Sequence, residues 1–245
     1  MALKSYLIEL LGTFMLTFIL GMVRVSNQED LLCVGLSTFF LMSSMIHTCF
    51  HLSGAQFNPI LSLSLLITKQ NNFNRALIYV LMQLLGSFFA GCLLFLINRG
   101  KETGKYYGSP QMNAAMREAG MIFEMVTMFL LVYVYNYFMS NVSAPKYVYG
   151  TAIAGVYTVC IIGFGFLSGG AANFSFIFGP CLFMENFKDW PYYIIGHILG
   201  GVLSGVIYKL FLQQEEDDDL INDENETDDQ FVGATEMHNL KQKVE

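Results

Sequence analysis

Six apolar runs divide the first 212 residues of this chain, at about 5–25, 31–52, 73–97, 119–140, 147–167 and 190–212. Each is long enough to cross a bilayer, which takes about 20 mostly apolar residues in a helix. Nothing else in the sequence limits the fold so strongly. In hydrocarbon every backbone N–H and C=O needs a partner inside the protein, and a continuous helix supplies one. Strands of a membrane barrel would alternate in polarity every second residue, and these runs are solidly apolar. Polar clusters at 26–30, 68–74 and 98–118 separate the runs and read as loops. The first run starts close to Met1 and has no cleavage-like site, so it reads as a retained span and not as a signal peptide.

Charge supports the same reading. Only 13% of residues are charged, against roughly 25% in soluble domains. The net charge of −7 is an average over two populations. Residues 213–245 hold twelve acids against two lysines, a charge of −10, which leaves +3 for the other 212 residues. A weakly basic apolar body with an acidic tail excludes a soluble enzyme, a disulfide scaffold and a nucleic-acid binder.

Two apolar stretches, 58–67 and 173–184, are too short to cross. Ten helical residues rise about 15 Å, half of a roughly 30 Å hydrocarbon core. Re-entrant segments are the expectation for both. An internal repeat strengthens it. At an offset of 115, Glu9 falls on Glu124, Phe14 on Phe129 and Gly35 on Gly150. Leu52, Ser53, Gly54 and Asn58 fall on Leu167, Ser168, Gly169 and Asn173, while Leu84 and Gly86 fall on Leu199 and Gly201. Each half, about 1–115 and 116–212, then holds three spans and one short segment. Three is odd, so the halves sit inverted, an arrangement that puts the functional site near the midplane where the broken helices meet.

Both short segments open on asparagine. Asn is a favoured N-cap and Pro a favoured first helical residue, so Asn58-Pro59 reads as a helix start. Two helix N-termini aimed at one point raise the cost of a cation there, while the Asn amides still donate to a neutral molecule. A single Asn would more simply be a cap. A symmetric pair points to a pore.

These motifs resemble the aquaporin (major intrinsic protein) family over about residues 5–212. Ser53-Gly54-Ala55-Gln56-Phe57-Asn58-Pro59-Ile60 is similar to the family's Ser-Gly-x-x-x-Asn-Pro-Ala. The second loop, Gly169 to Asn173 followed by Phe174-Ser175-Phe176 and Gly179-Pro180, is similar to the family's Gly-x-x-x-Asn-Pro-Ala-Arg-Ser-Phe-Gly-Pro. Glu9-x-x-Gly12-Thr13-Phe14, Tyr79-x-x-x-Gln83-x-x-Gly86 and Trp190-Pro191-x-Tyr193-x-x-Gly196 support it. The resemblance implies an all-α membrane protein of six transmembrane helices and two re-entrant half-helices in an inverted repeat. It also implies a homotetramer in the lipid bilayer with cytosolic termini.

The departures bear on transport. Ile60 stands for the family's Ala, and Phe174, Ser175 and Phe176 stand for its Pro, Ala and Arg. Without the proline, the second half-helix start is expected to be less rigid. The family's Arg faces the pore at its outer constriction, and Phe176 can neither donate hydrogen bonds nor repel cations. By spacing from the asparagines, the resemblance implies a filter of Thr38, Ile161, Gly170 and Phe176, with Phe39 in place of Thr38 if the second span slips by one. Such a filter either relaxes selectivity among neutral solutes or is plugged by Phe176.

Glu9 and Glu124 lie inside apolar spans, where a carboxylate is costly and is usually functional or paired. A proton relay is one reading. The resemblance, with the duplication, implies that they brace the re-entrant loops, and Gln83 is expected to be a further polar brace. His47 and His51 share a helix face, yet no carboxylate or cysteine completes a metal site. The five cysteines are scattered and read as free thiols. His197 stands where the family often has proline, with no role beyond packing or a hydrogen bond. No hydrolase elbow, phosphate loop or zinc motif occurs, so neither catalysis nor a cofactor is expected.

Basic residues set no orientation: Lys4, Lys69, Arg75, Lys146 and Lys209 on one side face Arg24, Arg99, Lys101, Lys105, Arg117 and Lys188 on the other. The sequons at Asn141, Asn173 and Asn225 read as unglycosylated. Residues 213–245 are expected to be a disordered tail, open to a regulatory role through Thr227 or Thr235. The function expected is passive, bidirectional passage of water or small uncharged solutes such as glycerol. A non-conducting scaffold of the same fold and a small-solute carrier remain the alternatives.

Overall fold

A computed structural model of the chain describes residues 2–27, 30–99, 107–141 and 144–212. The acidic tail expected at 213–245 lies outside the described residues, as do the Asn225 sequon and most of the Asn141 sequon.

Each apolar run becomes one long helix: α1 (Ala2–Ser26), α2 (Leu31–Ser53), α4 (Phe73–Asn98), α5 (Arg117–Ser140), α6 (Tyr149–Ser168) and α8 (Trp190–Ile207). A 3₁₀ turn, Lys146–Val148, leads into α6, and a π turn, Tyr208–Leu212, ends α8. Local chemistry sets the starts. Asp30 accepts from the Cys33 N–H at 2.9 Å to open α2, and Asn72 accepts from the Arg75 N–H at 2.9 Å to open α4. The ends of α2 and α6 are also encoded. Gly54 (φ 89°) and Gly169 (φ 73°) are left-handed caps whose N–H groups return to Phe50 and Gly165. That turn sends the chain out of each span and into a re-entrant loop.

The two short segments form α3 (Pro59–Ser64) and α7 (Ser175–Met184). The first is shorter than expected, because turns take over from residue 65. Among the described residues, six helices are long and apolar enough to cross a membrane, and α3 and α7 are not among them.

Helix packing repeats across the two halves. α1 packs on α4 as α5 packs on α8, α1 on α2 as α5 on α6, and α4 on α7 as α8 on α3. The α2–α6 contact joins equivalent helices of the two halves and so lies on the pseudo-twofold axis. The polarity is that of a lipid-embedded bundle. Leu3, Leu7, Leu11, Phe40, Val159 and Phe166 are exposed on the outer face, while Glu9, Asn58, Gln83, Glu124, Asn173 and His197 are buried.

The repeat is not uniform in register. At offset 115, Leu10 and Phe14 correspond to Met125 and Phe129. A Cβ on Gly86 would lie 2.3 Å from the Leu10 carbonyl and 3.0 Å from the Phe14 nitrogen. A Cβ on Gly200 would lie 2.1 Å from the Met125 carbonyl and 3.0 Å from the Phe129 nitrogen. Gly86 therefore corresponds to Gly200, at offset 114, and not to Gly201 as the sequence match suggests. The third span of the second half is therefore shifted by one residue in its register against α5.

Candidate functional site

The centre of the molecule is built from two loops with nearly one geometry. In the first, Gly54, Ala55 and Phe57 take φ values of 89°, 50° and 48°. In the second, Gly169, Gly170 and Ala172 take 73°, 59° and 52°. Ala55, Phe57 and Ala172 hold a left-handed conformation that costs of order 1–3 kcal/mol per residue without glycine. Something must hold them there, and the buried carboxylates do.

Glu9 is fully buried. It accepts from Ser53 Oγ (2.6 Å), the Gln56 N–H (3.1 Å), the Phe57 N–H (2.7 Å) and Gln83 Nε2 (2.8 Å). Glu124 accepts from the Ala171 N–H (2.9 Å), the Ala172 N–H (2.8 Å) and His197 Nε2 (2.7 Å). The backbone partners are equivalent at offset 115. Gln83 and His197 are equivalent at offset 114, so the register shift of α8 places a histidine where the first half has glutamine. The two side chains share one hydrogen bond, His197 Nε2 to Glu124 Oε2. Of the two roles open to His197, packing or a hydrogen bond, the structure shows the hydrogen bond, to the second carboxylate.

The loops are tied from outside as well. Tyr79 donates to the Ser53 carbonyl at 2.7 Å, and Tyr193 donates to the Ser168 carbonyl. Arg75 Nη2 reaches the same Ser53 carbonyl at 2.9 Å. Arg24, a residue the sequence offered only as a basic flank of α1, is buried. Its Nη1 and Nη2 donate to the carbonyls of Gly169 (2.7 Å) and Gly170 (2.9 Å). A basic residue within the last turn of an apolar span is the signal that could have found it.

Asn58 and Asn173 meet across the axis. Asn58 Nδ2 donates to the Ala172 carbonyl at 3.1 Å, and Asn173 Nδ2 donates to the Phe57 carbonyl at 2.8 Å. Each also caps its own half-helix: Asn58 Oδ1 accepts from the Ile60 N–H (3.1 Å), and Asn173 Oδ1 from the Ser175 N–H (2.9 Å). Pro59 sits at the first helical position of α3. Phe174 takes the corresponding place with φ −63°, the value a proline would impose. Its ring packs edge-on against Trp190 at 5.4 Å. The Asn173 cap and the Trp190 contact flank Phe174 at this φ. Ser175 is anchored in turn, its carbonyl accepting from Ser87 Oγ.

Thr38, Ile161, Gly170 and Phe176 are all buried. Gly170 abuts Ile161, whose Cα and Cγ1 would each lie 2.9 Å from an added Cβ. Thr38 returns its hydroxyl to the Val34 carbonyl of its own helix at 2.8 Å, and Phe39 is half-buried. The Phe176 ring lies in the main core cluster, 6.3 Å from the Tyr157 ring. His47 and His51 are exposed on α2. No group of three potential metal ligands occurs among the described residues.

Six spans in two inverted halves, with half-helices joined through a crossed asparagine pair, define a membrane channel built on an internal repeat. The chain belongs to the Major intrinsic protein family, which it matches over residues 1–208. It is 28% identical over 245 residues to Aquaporin-B of Dictyostelium discoideum, covering 85% of this chain and 83% of that protein. It is 26% identical over 221 residues to Aquaporin TIP2-3 of Arabidopsis thaliana, covering 84% and 86%. Its fold matches the aquaglyceroporin structure from Plasmodium falciparum with a TM-score of 0.74 and 18% identity, covering 89% of this chain and 99% of that one. The protein is a membrane channel for water and small solutes.

Proposed function

We propose that residues 1–212 form the channel unit and that its path runs between the Asn58 and Asn173 amides. The crossed amide–carbonyl bonds carry this reading. They bring the two half-helix starts together with donors directed inward, and a cation entering there meets donors where it needs acceptors. Thr38, Ile161, Gly170 and Phe176 form the outer constriction. With an aliphatic, an aromatic, a bare backbone and one hydroxyl turned to its own helix, this ring selects by size and not by hydrogen bonding. Small uncharged solutes, water and glycerol among them, are the permeants, moving down their gradients in either direction. The names of the relatives and of the matched structure favour the same pair. The chain assembles as a homotetramer with cytosolic termini. Transport, not catalysis, is its activity.

Reconstitution into liposomes followed by stopped-flow light scattering tests this reading. Water and glycerol permeabilities should exceed those of protein-free vesicles, and Phe176→Ala should raise glycerol more than water. Flux that saturates and needs an ion gradient would indicate a carrier.

A further inference from the structure

The asparagine pair that should receive a permeating molecule is already engaged by a side chain of the protein. A primary amide has two N–H donors. One on Asn58 goes to the Ala172 carbonyl at 3.1 Å, and the other goes to the Tyr157 hydroxyl at 3.2 Å. The Asn173 side chain also approaches that hydroxyl. Tyr157 lies on α6 one helical turn before Ile161, and its ring packs 6.3 Å from Phe176. It therefore extends along the stretch between the outer constriction and the asparagines.

Exposure agrees with the hydrogen bonds. Asn58 and Asn173 are 0% exposed, Ile161 1%, Tyr157 2% and Phe176 4%. A permeating water must touch both amides in passing, and here neither has surface open to a water molecule. The phenolic oxygen is the size of a water oxygen and accepts the bond that a water would accept.

We infer that Tyr157 is a gate residue whose hydroxyl occupies the permeant's place between Asn58 and Asn173 and closes the channel at that point. Its hold is by hydrogen bonds to the asparagine side chains, that from Asn58 being 3.2 Å long, so an opening motion need only exchange these for bonds to the entering solute. The inference rests on the channel reading above and identifies the step that limits its flux.

Wild type, Y157F, Y157V and Y157V/F176A in liposomes, with insertion verified, test it by stopped-flow water permeability per inserted protein. Y157F keeps the ring and frees the Asn58 donor, and is expected to raise permeability by about tenfold, the worth of one hydrogen bond. Y157V removes the ring and should raise it further. If both single variants match a conducting wild type, the gate is overturned and the channel stands. If no protein, the double variant included, exceeds empty vesicles, the channel reading itself falls. Should Y157V fail to insert, Y157F alone decides, because it preserves the packing.

Discussion

His197 Nε2 lies 2.7 Å from Glu124 Oε2, the place that Gln83 Nε2 holds 2.8 Å from Glu9 in the other half of the molecule. Two different donors thus do one job. An amide and an imidazole of similar reach each satisfy one oxygen of a buried carboxylate.

His197→Gln should therefore fold and keep most of its stability, because it copies the arrangement of the first half. His197→Leu removes a side-chain hydrogen-bond partner from the buried Glu124. Leaving a buried hydrogen-bonding group without its partner costs about 1–3 kcal/mol. Thermal unfolding in detergent should rank wild type and H197Q together and H197L well below.

Glu9 invites a harsher test. Glu9→Ala strands the Gln56 and Phe57 N–H groups in a loop where Phe57 sits at φ 48°. Each orphaned donor costs about 1–3 kcal/mol, so the variant should lose at least ~2 kcal/mol and fail to accumulate in membranes. Glu9→Gln keeps one acceptor oxygen and should be intermediate. Equal expression of all three would remove the bracing role.

The spans were legible because each hydrophobic run is as long as the bilayer core is thick, and no soluble helix needs that. The loops were legible through Ser-Gly-x-x-x-Asn, since a left-handed glycine cap and an asparagine cap leave the same letters in both halves. The register of α8 was hidden, because Gly200 and Gly201 are adjacent and a comparison of letters could not tell which one meets α5. Only the backbone contact at Met125 does. Tyr157 and Arg24 were hidden for another reason. One looks like any other aromatic in an apolar helix and the other like an interfacial anchor, and their roles arise from where α6 and α1 pass the loops.

The helix glycines give a contrast that depends on packing alone. Gly200→Ala places a methyl group against the Met125 carbonyl at 2.1 Å and must part α8 from α5. A loss of about 1–3 kcal/mol is expected from such overpacking. Gly163→Ala meets nothing within 4 Å and should be neutral or stabilising by up to ~1 kcal/mol, the gain in helix propensity. Denaturation midpoints in one detergent separate the two. Equal effects would mean that α5 and α8 do not meet at Gly200.

Arg24 gives the last prediction. Its guanidinium spans the carbonyls of Gly169 and Gly170, two residues at positive φ that lead into the second asparagine. Hydrogen bonds from a charged donor contribute about 1.5–3 kcal/mol each. Arg24→Met keeps the apolar stem and loses both bonds, so stability should fall by roughly 3 kcal/mol. Gly170 borders Ile161, and a loosened loop should also admit solutes larger than those the wild type passes. Arg24→Lys restores the charge without the planar fork that reaches two carbonyls at once. It should recover less than half of the lost stability. Full recovery by lysine would mean that charge alone, and not the two-point contact, holds the loop.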